Sequence, residues 1–489
     1  MKKNIVKIFA LILTLSLCFT LASCEFLNSL FPPKDDTIYV GNTAGTTGAL
    51  ATIGVPFNLG IEAAFAAYNA KGGFNGRKVA LKHYDDEGVA TNSTSLMEKL
   101  IHEDEVFAIV GNYGGYAVNV NLDMLKENQV PMIYAAAGND ALYNENATSA
   151  EDKVIFPVQP LYITEGRSLI LRAFGAAFNA DYSLTGSLGA TKVGVLYGKD
   201  EGSVGMVAGI RMEAENLPEA KKNNIVYSEV NGTDYLAAAQ ALVNAGCDAI
   251  IVTITGVAFV PALTALVDAG YVAMEYAGVT YKKNVLTTYS NASASALNDA
   301  VTTLLTENGS KILSNLNIYA QGWLDISGDV LYNEDTPLVQ AYKNSEYGAL
   351  YADGIPNFSA EYWVVAENIY NYAASLNDTS INAWAMSYNS FALAGYIAGD
   401  LFCQGLAQLQ AEGKELTREN YVAIMESKEF KIAMSDMISY TNGARTGVEN
   451  FSVSLFFDVA DYGYAYHSAS SVAVCGLKSL DELRALVGE

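Results

Sequence analysis

The chain has 489 residues, 51% of them hydrophobic, and sets 53 Asp and Glu against 29 Lys and Arg for a formal net charge of −24. So acidic a chain argues against nucleic acid as a partner, because phosphate binding needs basic surface. There are three histidines (His83, His102 and His467), and no HExxH, GxSxG or GxxxxGK[ST] pattern occurs. Zinc hydrolase, serine hydrolase and phosphate-loop readings therefore lack support, and the expectation is a non-enzyme with no metal and no cofactor.

Met1, Lys2, Lys3 and Lys7 make a basic start, and residues 8–22 (IFALILTLSLCFTLA) form a short apolar run closed by small residues. That is the pattern of a secretory signal; a membrane span needs about 20 apolar residues. Leu21-Ala22-Ser23-Cys24 resembles a bacterial lipobox. The resemblance implies cleavage before Cys24, lipidation of that cysteine and anchoring to the cell membrane. Residues 1–23 are then the lipoprotein signal and 24–36, with Pro32 and Pro33, a tether. Removing the signal leaves 466 residues and takes the formal charge to −27. That length suits two domains. Of the five cysteines, Cys247, Cys403 and Cys475 remain in the fold. Their odd number argues against a full disulfide framework; free thiols and a single pair both stay open.

From Thr37 short β-rich runs alternate with amphipathic helical stretches. Thr37–Asn42 is strand-like, Asn58–Asn69 is helical, and the turn KGGFNGRK leads into the strand VALKHYD. Thr94–His102 is a helix, Val106–Val110 a strand, Ala117–Lys126 a helix and Val130–Ala135 a strand. A second round begins near Thr191, with strands at Val193–Tyr197, Ile225–Glu229, Asp248–Thr253 and Val272–Ala277 and helices at Val204–Glu215 and Phe259–Ala269. Between them Asp234 is the expected cap of the helix YLAAAQALVNAG and Gly246 its stop. Such alternation predicts βαβ crossovers, parallel sheets covered by helices on both faces, and two lobes. Residues 323–360, rich in Asp, Asn, Gly and Tyr, read as a surface excursion, after which helices resume at Ala360–Ser375 and Ser380–Gln404.

Ligands of open parallel sheets bind beyond the carboxyl ends of the strands. That rule selects Thr43–Gly48, Tyr84–Gly88, Gly111–Tyr116, Ala135–Asp140, Tyr197–Gly205, Thr255–Val257 and Gly278–Tyr281. Nearly all carry Gly, small residues, hydroxyls or Tyr, which let backbone amides approach a ligand and offer polar tips. Each loop taken alone also fits ordinary turn chemistry; convergence is what makes a site.

The stretch NTAGTTGALATIGVPFNLGIEAAFAAYNAKGGFNGRKVALKHYDDEG resembles type I periplasmic binding proteins of the branched-chain amino-acid (Leu/Ile/Val) group. VFAIVGNYGGYAV, VPMIYAAAGNDAL and VIFPVQPLYITEG continue the likeness, which covers roughly residues 37–281 and returns at SLFFDVADYGYAYHSASSVAV. It implies an α/β fold of two doubly wound parallel-sheet lobes joined by a multi-crossover hinge. Lobe 1 would comprise 37–157 and 320–446, and lobe 2 would comprise 158–319 and 447–489. It further implies a small-molecule ligand, such as an amino acid, in the interlobe cleft of a monomer that serves ABC permease subunits. A sensor reporting to a membrane signalling partner would use the same pocket.

By the same resemblance lobe 1 would hold the ligand through Thr46, Thr47, Gly114, Gly115, Ala136, Ala137 and Gly138. Lobe 2 would add Tyr162, Asp200, Glu201, Gly202, Thr255, Gly256 and Thr280. Tyr113 and Tyr116 either wall the site or cover the lobe surface. The family's acid for a ligand ammonium aligns near Thr280, and Asp200 or Glu201 either replaces it or is a solvated loop charge. Neither Gly88 nor Gly114 is the cysteine of the family's first-lobe disulfide.

Overall fold

The structure, a computed structural model, describes residues 36–180, 183–292, 309–326, 337–338, 340, 359–458 and 469–488. The signal, Cys24, the tether up to Asp35 and most of the 323–360 segment lie outside them.

Two open sheets form two lobes. In the first, β1 (Ile38–Ala44), β2 (Val79–Asp85), β3 (Ile109–Val110), β4 (Met132–Ile133) and β5 (Ile155–Phe156) lie in the order β2-β1-β3-β4-β5, and every pairing is parallel. β1 is buried along nearly its whole length, as a central parallel strand with helices on both faces should be. The crossovers are α1 (Ala51–Ala70), α2 (Ala90–His102) and α3 (Gly115–Glu127).

The second sheet contains β6 (Val193–Tyr197), β7 (Ile225–Glu229), β8 (Ala249–Val252), β9 (Lys283–Thr287), β10 (Leu316–Gly322), β11 (Asn450–Asp458) and β12 (Ala469–Ser479). Their order is β12-β11-β10-β9-β8-β6-β7. β6 to β10 pair parallel, whereas β11 and β12 add two antiparallel strands at one edge. α4 (Tyr162–Phe174) leads into this sheet, and its crossovers include α5 (Glu201–Ala214), α6 (Tyr235–Asn244) and α7 (Phe259–Asp268). Asp234 caps α6 by accepting from the Ala237 amide at 3.1 Å, and Gly246 follows its end at φ +74°, both as expected.

One strand reading is corrected. Met274–Tyr276, within the expected Val272–Ala277 strand, pairs with Val279–Tyr281 in an exposed two-stranded hairpin outside the main sheet. Ala277 and Gly278 both have positive φ, the backbone of a two-residue hairpin turn. The sheet position is taken by β9, whose Val285, Leu286 and Thr287 are buried.

The chain returns to the first lobe for α8 (Ala360–Ser375), α9 (Ser390–Ala411) and α10 (Arg418–Met425). α9 crosses α1 so closely that a Cβ on Gly395 would lie 1.9 Å from the Phe57 carbonyl oxygen. Around that crossing Phe57, Ile61, Phe65, Phe402 and Leu406 form the core of the lobe. Each such side chain contributes about 1.5–3 kcal/mol on burial. α11 (Leu480–Val487), opened by a Ser479–Glu482 capping box, closes the second core with Leu480 and Leu483. Cys247, Cys403 and Cys475 are free thiols.

Three passages join the lobes among the described residues. Val448 donates its amide to the Val158 carbonyl at 2.8 Å, so the segments near 158 and 448 run side by side. At the third, Ser435 donates its hydroxyl to the Trp323 carbonyl at 2.8 Å, just after β10.

Candidate functional site

The first strand ends use their polar groups on one another. The Thr46 amide donates to Asp85 Oδ1 at 2.9 Å and the Thr47 hydroxyl to Asp85 Oδ2 at 2.6 Å. Burial alone would raise the Asp85 carboxyl, but these donors and the Glu87 amide prevail and hold it below its ordinary value. The Thr46 hydroxyl also meets His83 Nε2 at 3.0 Å, and burial pushes that imidazole down. Tyr116 donates its hydroxyl to Asp86 Oδ1 at 2.8 Å. Tyr113 packs its ring on Phe57 and Phe391, at 5.7 and 6.5 Å between centroids. Its phenol is pushed up to about 12 by burial, so it stays protonated.

Past β3 and β4 the backbone itself forms the surface. Tyr113 bridges Ala136, and the Gly114 amide donates to the Ala136 carbonyl at 3.2 Å. Gly114, at φ +94°, turns the chain into α3, a conformation that a side chain would strain. Ala136 and Ala137 are buried behind it.

The second lobe meets this surface directly. The Tyr162 amide donates to the Gly138 carbonyl at 2.8 Å, and its ring lies 2.8 Å from where a Gly138 Cβ would stand. The same ring lies 3.3 Å from the Cβ position of Gly202 on α5. The Gly205 Cβ position is 2.4 Å from Asp140 Oδ1, and that of Gly115 is 3.4 Å from Glu201 Oε2. Asn119 of α3 donates to Glu201 Oε1 at 3.0 Å, from one lobe to the other. Glycine at Gly115, Gly138 and Gly205 thus lets the lobes touch where each parallel sheet ends, and Gly202 leaves room for the Tyr162 ring within the second lobe.

Asp200 acts within its own lobe, where its carboxylate accepts the Ser203 amide at 3.0 Å and caps α5. Thr255 and Gly256 form a turn at the exit of β8, Thr255 half-buried and Gly256 exposed at φ +61°. Thr280 is not brought to the cleft. It stands on the exposed hairpin before β9, bonded to Glu275, at the amino end of the strand.

The carboxyl end of β9 instead presents Thr288 and Tyr289. The Thr288 hydroxyl and the Tyr289 amide each donate to the buried Glu165 carboxyl at 2.7 Å. Burial raises that carboxyl to about 7 against the two bonds. Tyr289 also donates its hydroxyl to the Pro160 carbonyl at 3.2 Å, beside the first passage between lobes. Glu165, Tyr289, Asn119, Asn139 and Asp140 were missed as site residues. The loop Ala135–Asp140 contains the last two, so reading its polar end as well as its small residues could have found them. Among the described residues no group of three His, Cys, Asp or Glu could hold a metal ion.

Two α/β lobes whose strand-end loops face each other across a hinge define a two-lobed binding-protein fold of type I. The chain belongs to the periplasmic binding protein family, whose model matches residues 37–309, more than half of it. Among curated relatives it resembles the Leu/Ile/Val-binding protein homolog 2 of Brucella abortus (strain 2308). The two are 33% identical over 102 residues, which is 21% of this chain and 27% of that one. The chain thus matches about a quarter of the length of the curated relatives it resembles.

Solved structures match over far more of the chain. An extracellular ligand-binding receptor from Verminephrobacter eiseniae superposes with TM-score 0.56 at 17% identity, covering 86% of this chain and 97% of that one. The branched-chain amino acid transporter substrate binding protein LivJ from Streptococcus pneumoniae, in complex with isoleucine, gives TM-score 0.55 at 16% identity, covering 89% and 99%. A fatty acid ABC transporter substrate-binding protein from Thermomonospora curvata gives 0.55 at 15%, covering 92% and 94%. At such identities the likeness shows the fold.

Proposed function

We propose that this protein is the extracytoplasmic solute-binding lipoprotein of an ABC importer, a non-enzyme that captures a small polar ligand between its lobes. The ligand class is an amino acid or a related amide or metabolite. One observation carries the reading. The loops beyond the carboxyl ends of two separate parallel sheets meet at Gly115, Gly138 and Gly205, with the Tyr162 ring packed between Gly138 and Gly202. An interlobe site of this kind closes by a hinge on its ligand, and the closed form is the one a permease reads.

The lobes divide near 157, 320 and 447, and β10, which runs in the second sheet to Gly322, favours a second division just after it. Lipid on Cys24 and a short tether hold the monomer at the outer face of the cell membrane. Structures of like fold carry names as different as branched-chain amino acid and fatty acid transport, so the residues of the cleft, not the fold, select the ligand.

The test is a thermal-shift screen of the mature chain against amino acids, amides, short peptides, nucleosides and sugars. A cognate solute at 100 times its Kd should add about 2.7 kcal/mol. No shift with any of them would overturn interlobe capture. For the anchor, Cys24→Ser should release the protein from the membrane fraction; retention there would count against lipidation.

A further inference from the structure

The charges at the lobe contact say more about the ligand than the fold does. Asp140, from the first lobe, opens the short turn Asp140–Leu142 after β4. Glu201, from the second, is the first residue of α5. Glu201 Oε1 is occupied by Asn119, but Oε2 lies 3.4 Å from the Gly115 Cβ position. Asn139 brings its Nδ2 to 3.1 Å and its Oδ1 to 3.2 Å of that same point. Asn139 is 1% exposed, and its Oδ1 is a buried acceptor with no hydrogen-bond partner, while its Nδ2 donates to the Gly115 carbonyl at 3.4 Å. Asp140 Oδ1 is likewise buried and unpartnered, against Gly205. Burial and then the Glu201 charge raise the Asp140 carboxyl.

We infer that Asn139, Asp140 and Glu201 form a cation subsite, and that the ligand carries a net positive charge on an amine held between the lobes. The inference rests on the interlobe reading above and adds the ligand's charge class. Buried acceptors without donors are costly, and an ammonium offers three N–H donors and no acceptor. The ionisable groups that act on Tyr162, which faces this corner, are acids and a phenol (Glu165, Glu201, Asp200 and Tyr113), and the cation that reaches the same turn, Arg167, is taken up by Tyr143, Glu145 and Glu213. Closure therefore brings like charges together, and a bound cation relieves that repulsion. One ammonium on a zwitterion would leave a carboxylate facing two acids; a net cation would not. A bare metal ion is disfavoured, because no trio of His, Cys, Asp or Glu stands ready for it among the described residues.

The experiment is calorimetric titration of the mature chain with putrescine and L-lysine as cationic probes, L-leucine as zwitterion and L-glutamate as anion, at low and high NaCl. A cationic probe should bind, weaken at least tenfold in Asp140→Asn and in Glu201→Gln, and weaken as salt rises. Far-UV dichroism and unliganded melting should show both variants folded. Should either fail to fold, the salt dependence of the unaltered chain decides. Binding of leucine or glutamate in preference to the cations, or cation affinity indifferent to salt and to both substitutions, would overturn this inference and leave interlobe capture standing. Silence from all four probes alongside a hit from the broader screen that carries no net positive charge would also overturn it. Silence in both would overturn the two readings together.

Discussion

Glu165 is a carboxyl that folding buries completely and provides with two donors, Thr288 and the Tyr289 amide. Its ordinary value is 4.5 and in the fold it titrates at about 7. Between those values the folded chain binds more protons than the unfolded one, so stability falls as pH rises through that window and levels off above it. The cost at pH 8 is about 3 kcal/mol, at 1.36 kcal/mol per unit. Glu165→Gln keeps an acceptor for the Tyr289 amide and cannot ionise. The variant should therefore gain on the unaltered protein as pH goes from 5 to 8, by about 2–3 kcal/mol in urea unfolding. A difference between the two proteins that stays flat with pH would show that the carboxyl is not neutral at the lower end. None of this was legible in sequence, because Glu165 and Thr288 lie 123 positions apart and no local pattern joins them. The small-residue loops were legible, because glycine advertises close approach in one letter. Across the cleft, Tyr162 and Glu201 were reached through the resemblance, but Asn119 was not, since it is an ordinary helix residue until the lobes meet.

Elements show the same division. Asp234 and Gly246 mark the ends of α6 through chemistry within one turn, and reading them needed no partner. The run Val272–Ala277 has the alternation of a strand but lacks the burial that makes one central; its Met274 and Tyr276 are exposed. Only the competing run at Lys283–Thr287 explains why. The α1–α9 crossing is a further case in which glycine is explained only by the neighbour. A Cβ on Gly60 would lie 2.0 Å from the Ala392 carbonyl oxygen and 2.7 Å from the Tyr396 amide nitrogen, both backbone atoms that no rotamer can move. In an isolated helix Gly→Ala is favourable by about 1 kcal/mol. Here Gly60→Ala should instead destabilise by about 3 kcal/mol, read as a lower urea midpoint, because overpacking forces the helices apart. A neutral or stabilising result would mean that the two helices pack more loosely than this crossing.

At the scale of the whole molecule, the question is what holds the two lobes together before a permease is met. The interlobe bond from Asn119 to Glu201 lies at the surface, and exposed polar pairs contribute little, roughly 1 kcal/mol. That modest size makes it a usable lever, since 1.4 kcal/mol is tenfold in a two-state equilibrium. Asn119→Asp keeps the shape of the side chain and sets a carboxylate against Glu201, with the repulsive Asp140–Glu201 approach close by. Asn119 is exposed on α3, so the lobes themselves should fold unchanged. The closed-to-open ratio should drop about tenfold at low ionic strength. Small-angle scattering should then report a larger radius of gyration, and a salt titration should shrink it again by screening the pair. Adding Glu201→Gln to Asn119→Asp removes the like charge and should restore the compact form. If the single variant scatters like the unaltered chain at low salt, Asn119 and Glu201 are not part of what closes the cleft, and the energy of closure must come from the glycine contacts around Tyr162 alone.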